Sequence, residues 1–216
     1  MTDRSAPTRV LIGVVGYTPV PTGYPLGPAL FQRLEEETWP GVAVTIEDMS
    51  WGPVHIVQAM QAQNFHYDRA VLIGAMGNGD IPGSVTCGHW QGGALDPIAM
   101  QERMYEAVTG IISLDNLLII GEHFGVWPRE VATVEIELPP SCFGDIVIAT
   151  RVRPSNDNWE ETLKSVLGFQ LEDMIQRVIR VTRQLAISGV GGDLPVDIRT
   201  AATLTPIQNF STTNVV

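Results

Sequence analysis

Asp48 closes the apolar run Val42-Ala43-Val44-Thr45-Ile46-Glu47-Asp48, where a strand hands over to Met49-Ser50-Trp51-Gly52. In an open α/β sheet the carboxyl ends of strands are where ligands and reacting groups collect. Paired carboxylates there would be the natural machinery for activating water. The neighbouring apolar runs offer Asp48 no partner, because Tyr17 and Gly74 stand at their ends. Cys87-Gly88-His89 sets a thiol and an imidazole two apart, facing one side of a short strand. With Asp80 or His66 this is a donor set suited to zinc or nickel. Its plainer reading is a core cysteine beside a surface histidine. Glycines 74, 77, 79 and 83 leave the backbone around Gly77, Asn78 and Asp80 free and uncovered, so that a ligand can pass close to it.

Other chemistries lack their signatures. The loop Gly16 to Gly27 has neither G-x-G-x-x-G nor the Gly-Lys-Ser/Thr of a phosphate loop, and its prolines stiffen it. There is no G-x-S-x-G elbow to support Ser84, Ser113 or Ser141 as a nucleophile. Glu122-His123 lacks an H-E-x-x-H context, and His55 and His123 read as surface residues.

The elements that must position these residues follow from periodicity. Arg9–Gly16 and, within Arg69–Met76, Val71-Leu72-Ile73 are unbroken apolar runs, as expected of parallel strands covered on both faces, and Val42–Asp48 is the strand between them in sequence. Between them lie a helix from Pro28 with Leu30, Phe31 and Leu34 on one face, and a second opened by Ser50 and Pro53 with Val54, Val57 and Met60 toward the core. The first half therefore reads β-α-β-α-β, with parallel strands and right-handed crossovers. Ser84–Trp90 predicts a short strand, Ile98–Val108 a helix capped by Asp96, and Ser113–Phe124 another helix. Val131–Glu137 predicts a strand, alternating in its second half, and Ile146–Thr150 one more. Leu171, Met174, Ile175, Val178, Val181 and Leu185 mark the core stripe of a last helix, to Ala186. Residues 1–187 read as one α/β domain with an insertion at about 141–165. Residues 188–216 form a Gly/Thr/Pro-rich tail.

The chain has 216 residues, 44% of them hydrophobic, enough for a sizeable core. Its net charge of −11 argues against nucleic acid and anionic membrane as partners, and leaves a basic protein partner open. Two cysteines make no disulfide framework. No apolar run approaches the roughly 18 residues of a membrane span, and the expected location is cytoplasmic. The sequence is compatible with a homo-oligomer as well as with a monomer.

Several segments together resemble the nickel-iron hydrogenase maturation endopeptidases. Tyr67-Asp68-Arg69-Ala70-Val71-Leu72-Ile73-Gly74-Ala75 is similar to that family's Y-D-R strand, and Pro82-Gly83-Ser84-Val85 to its later P-G-(S/T)-(V/L). Glu47-Asp48-Met49-Ser50-Trp51-Gly52 resembles the segment after the family's second strand. Gly27-Pro28 is similar to the end of its first loop, and Leu114–Leu118 with Gly125–Pro128 and Val131 to its later helix and strand. The resemblance covers about residues 8–138 and 165–186. It implies an α/β fold of phosphorylase/hydrolase-like type, a mostly parallel central sheet with helices on both faces, as in hydrogenase maturation proteases.

The resemblance also implies a nickel-sensing and cleavage site of three residues: an acid in the first loop, an Asp ending the third strand and a His before a later helix. Here those places fall on Tyr24, Gly74 and Gly110. None is a ligand for nickel or an activator of water. The implied protein is protease-like in fold but inactive, a pseudoenzyme and binding or assembly factor for a protein partner such as a hydrogenase-like large subunit. It needs no cofactor of its own. Asp48, Ser50, Trp51, Gly77, Asn78 and Asp80 are the candidates for its partner surface or pocket, and Cys87 and His89 the candidates for metal. The alternative is an active endopeptidase with a rebuilt site of Asp48, Asp80, His89 and Cys87. It would cut the C-terminal extension from a large subunit, with nickel belonging to the substrate protein.

Overall fold

The structure, a computed structural model, describes residues 6–15, 26–76, 83–93, 95–109, 113–137, 170–191 and 199–200. In chain order these form β1 (Thr8–Val15), α1 (Leu26–Glu36), β2 (Val42–Met49), α2 (Pro53–Gln61), β3 (Arg69–Met76), β4 (Val85–His89), α3 (Pro97–Thr109), α4 (Leu114–His123), β5 (Glu130–Glu137), α5 (Gln170–Ser188) and β6 (Arg199–Thr200). The predicted strand Ile146–Thr150, the insertion and most of the tail lie outside the described residues.

The strands make one sheet in the order β2-β1-β3-β5-β4-β6. The first four run parallel. β4 is antiparallel to β5 and parallel to β6. The α/β class and the β-α-β-α-β opening expected from the sequence are therefore present. Strands β1 and β3 are sealed on both faces, which is why they read as unbroken apolar runs. One face carries α1 and α5, whose Leu30, Leu34, Met174, Ile175, Val178, Val181 and Leu185 pack on Val10, Ile12, Val71 and Ile73. On the other, α4 contributes Leu114, Leu117 and Leu118 against Leu11, Ala70 and Leu72. A smaller cluster of Val57, Ala107 and Ile120 joins α2, α3 and α4.

Helix starts follow local chemistry with one correction. Asp96 Oδ1 accepts the N–H groups of Ile98 and Ala99 at 2.9 and 3.1 Å, capping α3 as expected. Ser113 Oγ accepts from Asn116 N–H at 3.1 Å and caps α4. Ser50, expected to open α2, does not. The cap is Gly52, with no side-chain hydrogen bond, and Pro53 takes the first turn. Ser50 is buried, and its own N–H donates to Asp48 Oδ1 at 2.9 Å. The competing Asp48 turn fixes the chain two residues upstream of the helix.

The Y-D-R motif lies at the amino end of the sheet, away from the strand ends where ligands bind. Asp68 clasps Arg9 through its carboxylate and its N–H, at 2.8 and 2.9 Å. Arg69 reaches across to the end of α5, donating to the carbonyls of Leu185 and Ala186 at 3.2 and 2.7 Å. Its Nε lies 2.9 Å from Glu130 Oε1, an ion pair whose geometry falls short of a hydrogen bond. The same oxygen accepts from Val190 N–H at 2.7 Å. Gly189, at φ +76°, lets the chain leave α5 between these charged groups.

Candidate functional site

Gly74 marks the place where the resemblance puts a catalytic carboxylate, near the carboxyl end of β3. Leu114, the first residue of α4, presses on it. A Cβ added at Gly74 would lie 3.0 Å from both Cβ and Cδ2 of Leu114, closer than an ordinary contact. The Ser113 cap sets where α4 begins, and so holds Leu114 against the strand. The volume an aspartate would need is filled by a leucine that is itself only 3% exposed.

The carboxylates near this place stand on the neighbouring strand instead. In the β3–β5 register Glu135 is opposite Gly74, and Glu137 is opposite Met76. Both glutamates are buried, as is every residue from Val131 to Glu137. The alternation Thr133-Val134-Glu135-Ile136-Glu137 is thus buried on both faces. A period of two shows that the faces differ in polarity, and cannot show whether the polar one is covered. Thr133 Oγ1 donates to Glu135 Oε1 at 2.8 Å. Burial raises the Glu135 carboxyl above its ordinary value. The Thr133 hydrogen bond opposes this, and the negative charges of Asp115 and Glu137 add to it. Asp115, in the first turn of α4, is also raised by burial, against the pull of Arg103.

This shift couples folding to pH. A carboxyl raised in the fold keeps its proton where the unfolded chain has lost it, so folding takes up a proton. Stability is fullest below the ordinary value of 4.5 and falls as pH rises through the higher folded value. Glu135→Gln keeps an oxygen for Thr133 and abolishes the titration. The variant is expected to gain on the wild type in urea-unfolding midpoint as pH rises above the ordinary value of 4.5. A difference independent of pH would show that Glu135 is ionised in the fold.

Of the other residues that the sequence offers for chemistry, Asp48 is exposed at the end of β2 and holds the turn to Ser50. Trp51 is 59% exposed, and its ring meets His55 at 6.0 Å between centroids. Glu47, Asp48, Trp51, His55 and Gln63 line a cleft of about 190 Å³ between β2 and α2. Cys87 belongs to the core beneath α5, as its plainer reading had it. Burial and then Glu135 raise its thiol, which keeps it a protonated, inert sulfur. His89 contacts Gln91 Nε2 through Nδ1 at 2.6 Å. Because β4 runs antiparallel, His89 pairs with Ala132, toward the amino end of the sheet and away from Gly74. Among the described residues no group of three or more His, Cys, Asp or Glu side chains is placed to hold a metal ion. Tyr24, Gly110, Gly77, Asn78 and Asp80 lie outside the described residues.

Sequence reasoning missed Glu135, Glu137 and Asp115. The signal within reach was a strand of four apolar residues, Val131, Ala132, Val134 and Ile136, the last two interleaved with acids, in a fold that otherwise covers both faces of its sheet. It also passed over Glu47, whose edge-strand position brings it to the cleft.

No protein-family profile and no curated protein matches the chain. Among solved structures it is similar to the endopeptidase HycI from Escherichia coli, at 16% identity over 88% of this chain and 97% of that one, with a TM-score of 0.42. It is similar to the hydrogenase maturating endopeptidase HybD from E. coli, at 15% identity over 77% and 93%, TM-score 0.34. A third is the [NiFe] hydrogenase maturation protease HycI from Thermococcus kodakarensis, at 17% identity over 74% and 95%, TM-score 0.32.

Proposed function

We propose that this chain is a divergent relative of the hydrogenase maturation endopeptidases that has given up cleavage. It acts in the cytoplasm as a binding or assembly factor for a protein partner, for which a hydrogenase-like large subunit is the class the resemblance names. The observation that carries this reading is the seat of Leu114 on Gly74. Loss of a carboxylate from a strand end leaves a cavity or a filled space. Here the space at Gly74 is filled by Leu114, which leaves no room there for a replacing group.

A protein-binding role is further supported by the outer face of α3. Ile98, Tyr105 and Val108 are each about 70% exposed, and their spacing puts them on one stripe. A Cβ added at Gly52, beside the exposed Trp51, would lie 3.5 Å from the Ala107 carbonyl oxygen, close to the Val108 end of that stripe. Large apolar residues left in water in a group mark contact surfaces for other proteins.

The test is to mix the purified chain with a nickel-loaded large-subunit precursor that still carries its C-terminal extension. The expected result is a complex retained on gel filtration with the precursor's mass unchanged. Shortening of the precursor, read by mass spectrometry, would overturn the reading. The second reading, an endopeptidase with a rebuilt site, has one observation in its favour: the buried carboxylates on β5 beside Gly74. It requires the same experiment to end in a shortened precursor, and Glu135→Gln to abolish the shortening.

A further inference from the structure

We propose that the cleft between β2 and α2 seats a cationic side chain, an arginine, of the protein partner. The inference rests on the protein-partner reading and adds to it a place and a chemistry. Four features of the cleft converge on this ligand. Its volume, about 190 Å³, suits one long side chain rather than a nucleotide or a peptide backbone. Its floor is apolar, with Leu11 and Met49 buried beneath it, and would cover the methylene stem of such a side chain. Its wall carries Trp51, a large aromatic side chain left 59% exposed, on whose face a planar guanidinium can stack. Its rim carries two acids, Glu47 and Asp48, and none of the described residues lining it is Lys or Arg.

The sequence builds this arrangement locally. β2 is the outer strand of the sheet, and Glu47 and Asp48 near its end are exposed. Asp48 Oδ1 accepts the Ser50 N–H, and that turn delivers Trp51 to the mouth of the cleft just before α2 begins. The chain's net charge of −11 draws a basic surface in from a distance, while the cleft itself supplies register. A lysine would meet the charge and the aromatic face. Arginine meets them with a planar fork that can engage a carboxylate through two donors.

The experiment titrates the full chain with N-acetyl-L-arginine methylamide and watches its tryptophan indole N–H signals by NMR, that of Trp51 being identified by its loss in Trp51→Phe. The neutral isostere N-acetyl-L-citrulline methylamide is the control. The Trp51 signal is expected to move and saturate with the arginine probe, and to respond about tenfold more weakly to citrulline. Glu47→Gln and Asp48→Asn, the latter keeping the oxygen that holds Ser50, are each expected to weaken the arginine response several-fold. Equal binding of the two probes, or an unmoved Trp51 signal, would overturn the proposal. A partner retained equally by wild type and by Glu47→Gln/Trp51→Ala overturns the cleft's role and leaves the partner reading standing. Saturable arginine binding without any partner retained upholds the cleft and sinks the partner reading instead.

Discussion

Gly74→Asp, which writes the family's carboxylate back onto β3, is expected to leave cleavage absent and to lower stability by roughly 3–5 kcal/mol. Two costs add. The first is steric: the new Cβ meets Leu114 at 3.0 Å, and the carboxyl beyond it must displace a packed side chain. Overpacking of this kind costs about 1–3 kcal/mol. The second is electrostatic: the new charge would be buried, with Glu135 as its register neighbour. For a chain of this length the sum corresponds to a thermal midpoint lower by about 10 °C. Gly74→Ala separates the two costs, because it carries only the smaller part of the first and should lose about 1 kcal/mol. The electrostatic part is also visible in pH. The aspartate's value in the fold is pushed up, so the penalty is full above that value and shrinks as pH falls toward the unfolded value near 3.9. A Gly74→Asp protein as stable as wild type would show that Leu114 does not fill the site.

Arg69→Ala is the other large effect, expected at roughly 2–4 kcal/mol in urea-unfolding free energy. Arg69 is 14% exposed in its side chain and satisfies two carbonyls at the end of α5 while facing Glu130. Hydrogen bonds to a charged group contribute about 1.5–3 kcal/mol each, and the partial exposure of Glu130, 30%, moderates the total. Arg69→Lys keeps the charge and loses the fork, so it should recover less than half of the loss. Full recovery by lysine would mean that the charge matters and the two carbonyl contacts do not.

These two positions also show which parts of the molecule are legible in the sequence. Strand β3, the Asp96 cap of α3 and the apolar stripe of α5 follow from local periodicity and local hydrogen bonding, and stand where the spacing puts them. The vacancy at Gly74 is equally legible. What fills it is not, because Leu114 arrives from another element forty residues on. The same limit hides Glu135. Its neighbours along the chain announce a strand, and only the order β3-β5-β4 makes that strand interior and its acids buried. Nor does the chain announce that β4 turns back antiparallel, which carries His89 away from the strand ends. Tyr67-Asp68-Arg69, the motif that most strongly suggests the family, turns out to bind the sheet to its last helix. It reports the scaffold, and survives any change of chemistry at the opposite end.

The position of α5 in the chain has a consequence for synthesis. One whole face of the sheet is closed by Met174, Ile175, Val178, Ile179, Val181, Leu185 and Ala186, and α1 covers only part of it. β5 is complete at Glu137, whereas the Arg69 clasp closes only once Leu185 and Ala186 have been made, about fifty residues later. At about 5–20 residues per second, the ribosome takes roughly 3–10 s to supply them. For that interval the nascent chain holds five strands whose α5 face is covered, among the described residues, only in part by α1. Any factor that shields hydrophobic nascent chains has its opportunity then, and a stop codon before α5 would make the exposure permanent.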